Sequence, residues 1–147
     1  MNHSIGAWAW HHTGIVVSDL NAALEFYTAT LGYEVVFEAR SMTDLMESML
    51  GLKGIRANLV QCRAPMSEQI LEFIEFSQLP ADWDPSLPVV PGRTHTAFLV
   101  PDLDRAVEET IAQGGRLIGS ITEFSEGRAA YCIEPGGTVV EWEEARP

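Results

Sequence analysis

Positive charge is scarce in this chain. Nine Lys and Arg stand against 21 Asp and Glu, for a formal charge of −12, and Lys53 is the sole lysine. A field of that sign repels nucleic-acid phosphates and anionic lipid, and no basic cluster interrupts it, so no nucleic-acid or membrane partner is expected. Cysteine is scarce too. Cys62 and Cys132 lie in the apolar runs NLVQC and AAYCI without a CxxC spacing. That pattern predicts reduced core residues and argues against a disulfide frame or a zinc knuckle. No apolar run approaches the roughly 20 residues of a membrane helix. The opening MNHSIGAWAW has no basic stretch ahead of an apolar one. No signal peptide is therefore expected, and the cytoplasm is the expected compartment. Glycine-rich phosphate loops, dinucleotide fingerprints and a Ser-His-Asp order are also missing.

What the chain does have is a repeat. A hydrophobic fraction of 46% with 20% charged residues over 147 positions fits one soluble folded domain. Within it, residues 12–23 read HTGIVVSDLNAA and residues 95–106 read HTAFLVPDLDRA. At a constant offset of 83, six of these twelve positions are identical, from His12/His95 to Ala23/Ala106, and Gly32 falls on Gly115. An internal repeat of this kind is the first thing a fold assignment must accommodate.

Each copy opens on a strand-like run, WHHTGIVV or THTAFLV. An aspartate in N-cap position follows, Asp19 or Asp102. Apolar residues then recur at helical spacing, through Leu20, Leu24 and Leu31 in one copy and Leu103, Val107 and Ile111 in the other. Glycine at 32 and at 114–115 ends both helices. Three further strand-like stretches close each copy, so the repeating unit is βαβββ. The first module spans about residues 8–76 and the second about 94–144. Residues 77–93 hold four of the eight prolines and read as a linker. Extra residues at about 41–54 in the first copy, SMTDLMESMLGLKG, predict a short helix whose methionines pack in the core or line a cavity.

The last strand of each copy carries a carboxylate among apolar neighbours, Glu72 in ILEFIEF and Glu141 in TVVEWEE. These match each other at an offset of 69, as do Glu75 and Glu144. A buried carboxylate is costly unless a cation or metal accompanies it. Alternation along the first strand puts Trp8, Trp10, His12, Gly14 and Val16 on one face and His11 on the other. Taken singly, His12 or His95 also reads as a satisfied strand histidine, and either glutamate as solvated. Taken together, four residues at equivalent places in two copies favour a His2Glu2 metal set. Imidazole with carboxylate suits zinc, nickel, cobalt, manganese or iron(II).

The run HHTGIVVSDLNAALEFYTATLGYEVV, the second copy and the closing EPGGTVVEWEE resemble the vicinal-oxygen-chelate proteins. These form the glyoxalase, bleomycin-resistance and extradiol-dioxygenase superfamily. The resemblance runs from about residue 10 to residue 144. It implies an α+β fold in which two βαβββ modules form a partly open barrel around one divalent metal ion. The ligands it implies fall on His12, Glu72, His95 and Glu141. That family's usual DPDGN turn is altered here to EPGGT at 134–138, which touches no ligand.

The resemblance further implies a small substrate that chelates the metal through vicinal oxygens, and a homodimer. With both carboxylate positions filled, the expected reaction is proton abstraction next to a carbonyl: isomerase, epimerase or glyoxalase-like lyase chemistry, with Glu72 or Glu141 as base and Glu143 in reserve. A non-haem iron dioxygenase and a drug-binding protein without turnover are the alternatives, since the fold hosts several chemistries. Arg128 is a candidate for an anionic substrate group and equally reads as a surface arginine. Trp10 and Tyr131, with Trp8 and Trp142, are candidate aromatic walls, although strand aromatics more often belong to a core.

Overall fold

A computed structural model of the chain describes residues 8–147. The first module runs β1 (Ala9–Val16), α1 (Leu20–Glu25, continued by a π-helical turn at Phe26–Thr30), β2 (Glu34–Met42), α2 (Asp44–Leu50), β3 (Arg56–Arg63) and β4 (Ile70–Gln78). The second runs β5 (Thr94–Leu99), α3 (Leu103–Ala112), β6 (Arg116–Glu123), β7 (Gly127–Ile133) and β8 (Val139–Ala145). The βαβββ reading of each copy is therefore observed, with α2 as the insertion in the first. No helix among the described residues is long and apolar enough to cross a membrane.

All eight strands join one curled sheet in the order β2-β3-β4-β1-β5-β8-β7-β6. Within each module the first strand lies parallel to the last, β1 to β4 and β5 to β8. The modules meet where β1 and β5 pair antiparallel. The four central strands are thus the two opening and two closing strands of the repeat, which are the strands carrying the histidines and glutamates.

Alternation decides what faces which side. On the outer face Leu20 packs with Val60, Cys62 and Phe73, while Leu103 and Val107 pack with Ala130, Cys132 and Val140. Helices α1 and α3 therefore cover the convex side, and both cysteines are buried and free. On the inner face Met46, Met49 and Leu50 of α2 pack with Leu59, Ile74, Ile118 and Tyr131. This helix of the first module reaches the second module's β6, where Ser48 and Thr122 share a hydrogen bond of 2.7 Å. Contact is that close because Gly119 has no side chain: a Cβ there would overlap the carbonyl oxygens of Ser48 and Met49. Leu87 and Val89 of the proline-rich connection are also buried in this inner cluster.

Candidate metal centre

Register brings the four residues together. Gly14 on β1 pairs with Glu72 on β4 and with His95 on β5, while Ala97 on β5 pairs with His12 on β1 and with Glu141 on β8. Two rows, one from each module's viewpoint, point four side chains at one spot on the concave face. Each histidine has a small residue directly across from it, Gly14 opposite His95 and Ala97 opposite His12, which leaves space for the rings. All four residues are buried. Their donor atoms lie within 4.8 Å of one another.

The contacts among them are crowded. His12 Nε2 and His95 Nε2 stand 3.1 Å apart. Glu141 Oε2 is 3.0 Å from His95 Nε2 and 3.3 Å from His12 Nε2, and Glu72 Oε1 is 3.4 Å from His12 Nε2. Yet Glu141 Oε2 is buried and has no hydrogen-bond partner, although both histidine Nε2 atoms stand within 3.3 Å of it. Buried polar atoms are rarely left so. The four donor atoms are clustered closely enough for one ion to be held among them. The donor set fits a divalent cation of the borderline type.

Electrostatics agree. Burial opposes a charge on His12, but Glu72 and Glu141 outweigh it and push the imidazolium pKa up to about 11. Burial would likewise raise Glu72 and Glu141, and the adjacent histidines instead hold both below the usual carboxylate range. Two buried carboxylates demand positive charge between them. Glu143, two residues beyond Glu141 on the same face, is pushed up to about 8 by burial and by Glu141, with His12 pulling the other way.

The two glutamates are not held alike. Gln61, directly across from Glu72 on β3, donates Nε2–H to Glu72 Oε2 at 2.7 Å. The residue across from Glu141 is Tyr131, whose ring packs edge-on against His95 at 5.0 Å between centroids. One carboxylate is tethered and the other is not. Sequence reasoning did not single out Gln61; its signal was a polar residue in the apolar run NLVQC, on the face shared with Leu59.

Several expectations need correction. A bulge between Trp10 and His12 breaks the alternation of β1. Trp10 consequently pairs with Phe98 on the outer face, half exposed at 53%, and is no wall of the site. Trp8 and Trp142 also lie against Phe98 there. The same bulge turns His11 inward, where its Nδ1 lies 2.8 Å from His12 Nδ1 and 3.4 Å from Glu143. His11 therefore lines the cavity instead of facing away from it. Arg128 reaches the cavity rim, but its guanidinium is bound to Asp104 at 2.9 Å and to Glu144 at 3.0 Å, so it is not a free anion receptor. Tyr131 does line the cavity, buried against His95.

The cavity that reaches Glu72 and Glu141 measures about 410 Å3 and lies between α2, β2 and β3 on one side and β7 and β8 on the other. Another hollow, about 470 Å3 and lined by residues between Gly32 and Glu68, contains none of the four.

With this geometry in place, likeness to known proteins is informative. The family model of the Glyoxalase/Bleomycin resistance protein/Dioxygenase superfamily matches residues 9–142. The chain belongs to that superfamily. A 2-epi-5-epi-valiolone epimerase from Actinomyces sp is 30% identical over 154 residues, covering 92% of this chain and 79% of that protein. Among solved structures, methylmalonyl-CoA epimerase from Mycobacterium tuberculosis has a TM-score of 0.65 at 24% identity, over 94% of this chain and 88% of its own. A Streptomyces coelicolor methylmalonyl-CoA epimerase variant in complex with 2-nitronate-propionyl-CoA has a TM-score of 0.61 at 20% identity, over 94% and 97%. The solved structures establish the shared fold. With the curated relative, the chain is an enzyme of the isomerase or epimerase type.

Proposed function

We propose that this enzyme is a divalent-metal-dependent epimerase or isomerase that moves a proton on the carbon next to a carbonyl of a small substrate. The observation that carries the reading is the convergence of His12, Glu72, His95 and Glu141, with Glu141 Oε2 buried and unpartnered at the focus. A divalent ion held by His12, Glu72, His95 and Glu141 would supply Lewis acidity, which would make the carbon next to a ligated carbonyl more acidic. The residues of the chain do the rest. His12 and His95, fixed across the β1–β5 seam, hold position. Gln61 ties down one oxygen of Glu72 and keeps that carboxylate in place. Glu141 receives no hydrogen bond from a neighbouring strand as Glu72 does, so of the two carboxylates it is the one we assign to leave the ligand set and take the proton from carbon. Glu143, on the same face of β8 and facing the cavity, is the next group able to hold a proton there. The apolar surface of α2 keeps water from the reacting carbon.

Replacing each glutamate by glutamine separates the roles, since the amide keeps a ligating oxygen and loses basicity. Glu141→Gln is expected to cut solvent-hydrogen exchange at the substrate carbon by about 10²-fold or more, with metal still bound. Glu72→Gln is expected to lower metal affinity while sparing most of the exchange in metal-saturated enzyme. Exchange unchanged in Glu141→Gln ends the assignment of that base.

A further inference from the structure

His12 and His95 are matched in sequence but not in surroundings. At the offset of 83, the residue before His12 is a histidine and the residue before His95 is Thr94. In a regular strand the residue before an inward side chain points to the opposite face. The bulge between Trp10 and His12 prevents this and turns His11 to the cavity, beside His12. Trp10 Nε1–H donates to the carbonyl oxygen of His12 at 3.0 Å and braces the bulged backbone.

The two nitrogens of His12 have different neighbours. Nε2 meets His95, Glu141 and Glu72, each within 3.4 Å. Nδ1 lies 2.8 Å from His11 Nδ1, and Glu143 Oε1 stands farther off at 3.6 Å. Two imidazole nitrogens at hydrogen-bond distance share one proton, so one donates and the other accepts. A neutral histidine that ligates through Nε2 carries its proton on Nδ1. His12 is then the donor, and His11 Nδ1 is bare, with the His11 proton on Nε2. The acceptor on the second nitrogen of a ligand histidine fixes the ring and makes it a better donor to the ion.

We infer that His11 is a positioning residue of the metal centre, whose bare Nδ1 accepts the Nδ1 proton of His12 and so sets the tautomer and aim of that ligand. The bulge in β1 is the backbone device that brings the two rings together. This inference rests on the metal-dependent reading above and adds to it a residue outside the four ligands.

The test uses the full chain and two variants of nearly equal size, His11→Asn and His11→Leu. Asparagine keeps an acceptor oxygen close to the place of Nδ1, and leucine has none, so a role in packing alone would make the two alike. Chelator competition should show zinc affinity about 10- to 100-fold lower in His11→Leu and within about threefold of wild type in His11→Asn. Elemental analysis should give one ion per chain in all three proteins. In the unaltered, zinc-loaded protein, nitrogen-15 NMR should find His12 protonated on Nδ1 and His11 on Nε2, a readout that needs no variant to fold. Equal affinities in the two variants overturn the inference, as does His11 protonated on Nδ1 in the zinc-loaded protein. So do two ions per chain falling to one in His11→Leu, because His11, His12 and Glu143 would then hold a second ion. A wild-type chain that takes up no ion overturns the metal reading and this inference with it, whereas the other failures leave that reading standing.

Discussion

Gly14 shows how narrowly the site is fitted. A Cβ built on Gly14 would overlap the imidazole of His95, because the two residues face each other across the β1–β5 pairing. Gly14→Ala should therefore push the ring out of line with the other donors. We expect metal affinity to fall by about 10- to 100-fold, the range seen when the support of a ligand is lost. The overpacking itself costs about 1–3 kcal/mol of stability. Chelator competition and urea denaturation measure the two effects, and an unchanged affinity would show that His95 is not a ligand. His12, Glu72, His95 and Glu141 were readable in the sequence because each occurs twice at matched places. Gln61, His11, Trp10 and Arg128 were not readable in the same way. The first and last depend on which cross-strand or helix neighbour they meet, and the middle two on a bulge that leaves no mark in the residue pattern.

At the scale of elements, the closing strands each carry a second repeated glutamate with a different task. Glu75 Oε2 accepts from Leu20 N, and Glu144 Oε2 accepts from Leu103 N, both at 2.8 Å. Asp19 and Asp102 cap the same helices from their own first turns, accepting from Ala22 N and Arg105 N. Because Glu72 and Glu75, like Glu141 and Glu144, are three residues apart on a strand, one points into the site and the other out to a helix. The matched offsets thus located the inner pair by repetition and left the outer pair's role to the packing of α1 and α3. Glu144→Ala removes an acceptor from the first turn of α3 and a partner from Arg128. A loss of about 1 kcal/mol is expected by analogy with helix capping, with metal content unchanged. Denaturant midpoints and elemental analysis would show this together. A loss of metal in Glu144→Ala would mean that the outer face is not independent of the inner one.

For the whole molecule, the four-residue focus works as a joint between modules, since each contributes one histidine and one glutamate across the β1–β5 seam. Without an ion, a proton on His12 is what balances Glu72 and Glu141. The sign of the pH dependence follows from the direction of each shift. His12 is raised from 6.5 to about 11, so its contribution to the metal-free fold is complete below about 6.5 and lost as pH rises through about 11. The glutamates are lowered from 4.5, so their contribution is present above that value and lost in acid. A divalent ion bound by these four residues would have to displace the His12 proton, so its affinity should rise with pH across the neutral range by up to about tenfold per unit. At free metal about 100-fold above its dissociation constant, the loaded protein should be more stable by about 2.7 kcal/mol. The gap in Tm between loaded and chelator-treated protein should therefore widen from pH 6 to pH 9. Calorimetric titration with zinc in two buffers of different ionisation enthalpy should show close to one proton released per ion at pH 8. A Tm gap that does not change with pH, together with no proton release, would mean that the ion does not take the place of the His12 proton between the two glutamates.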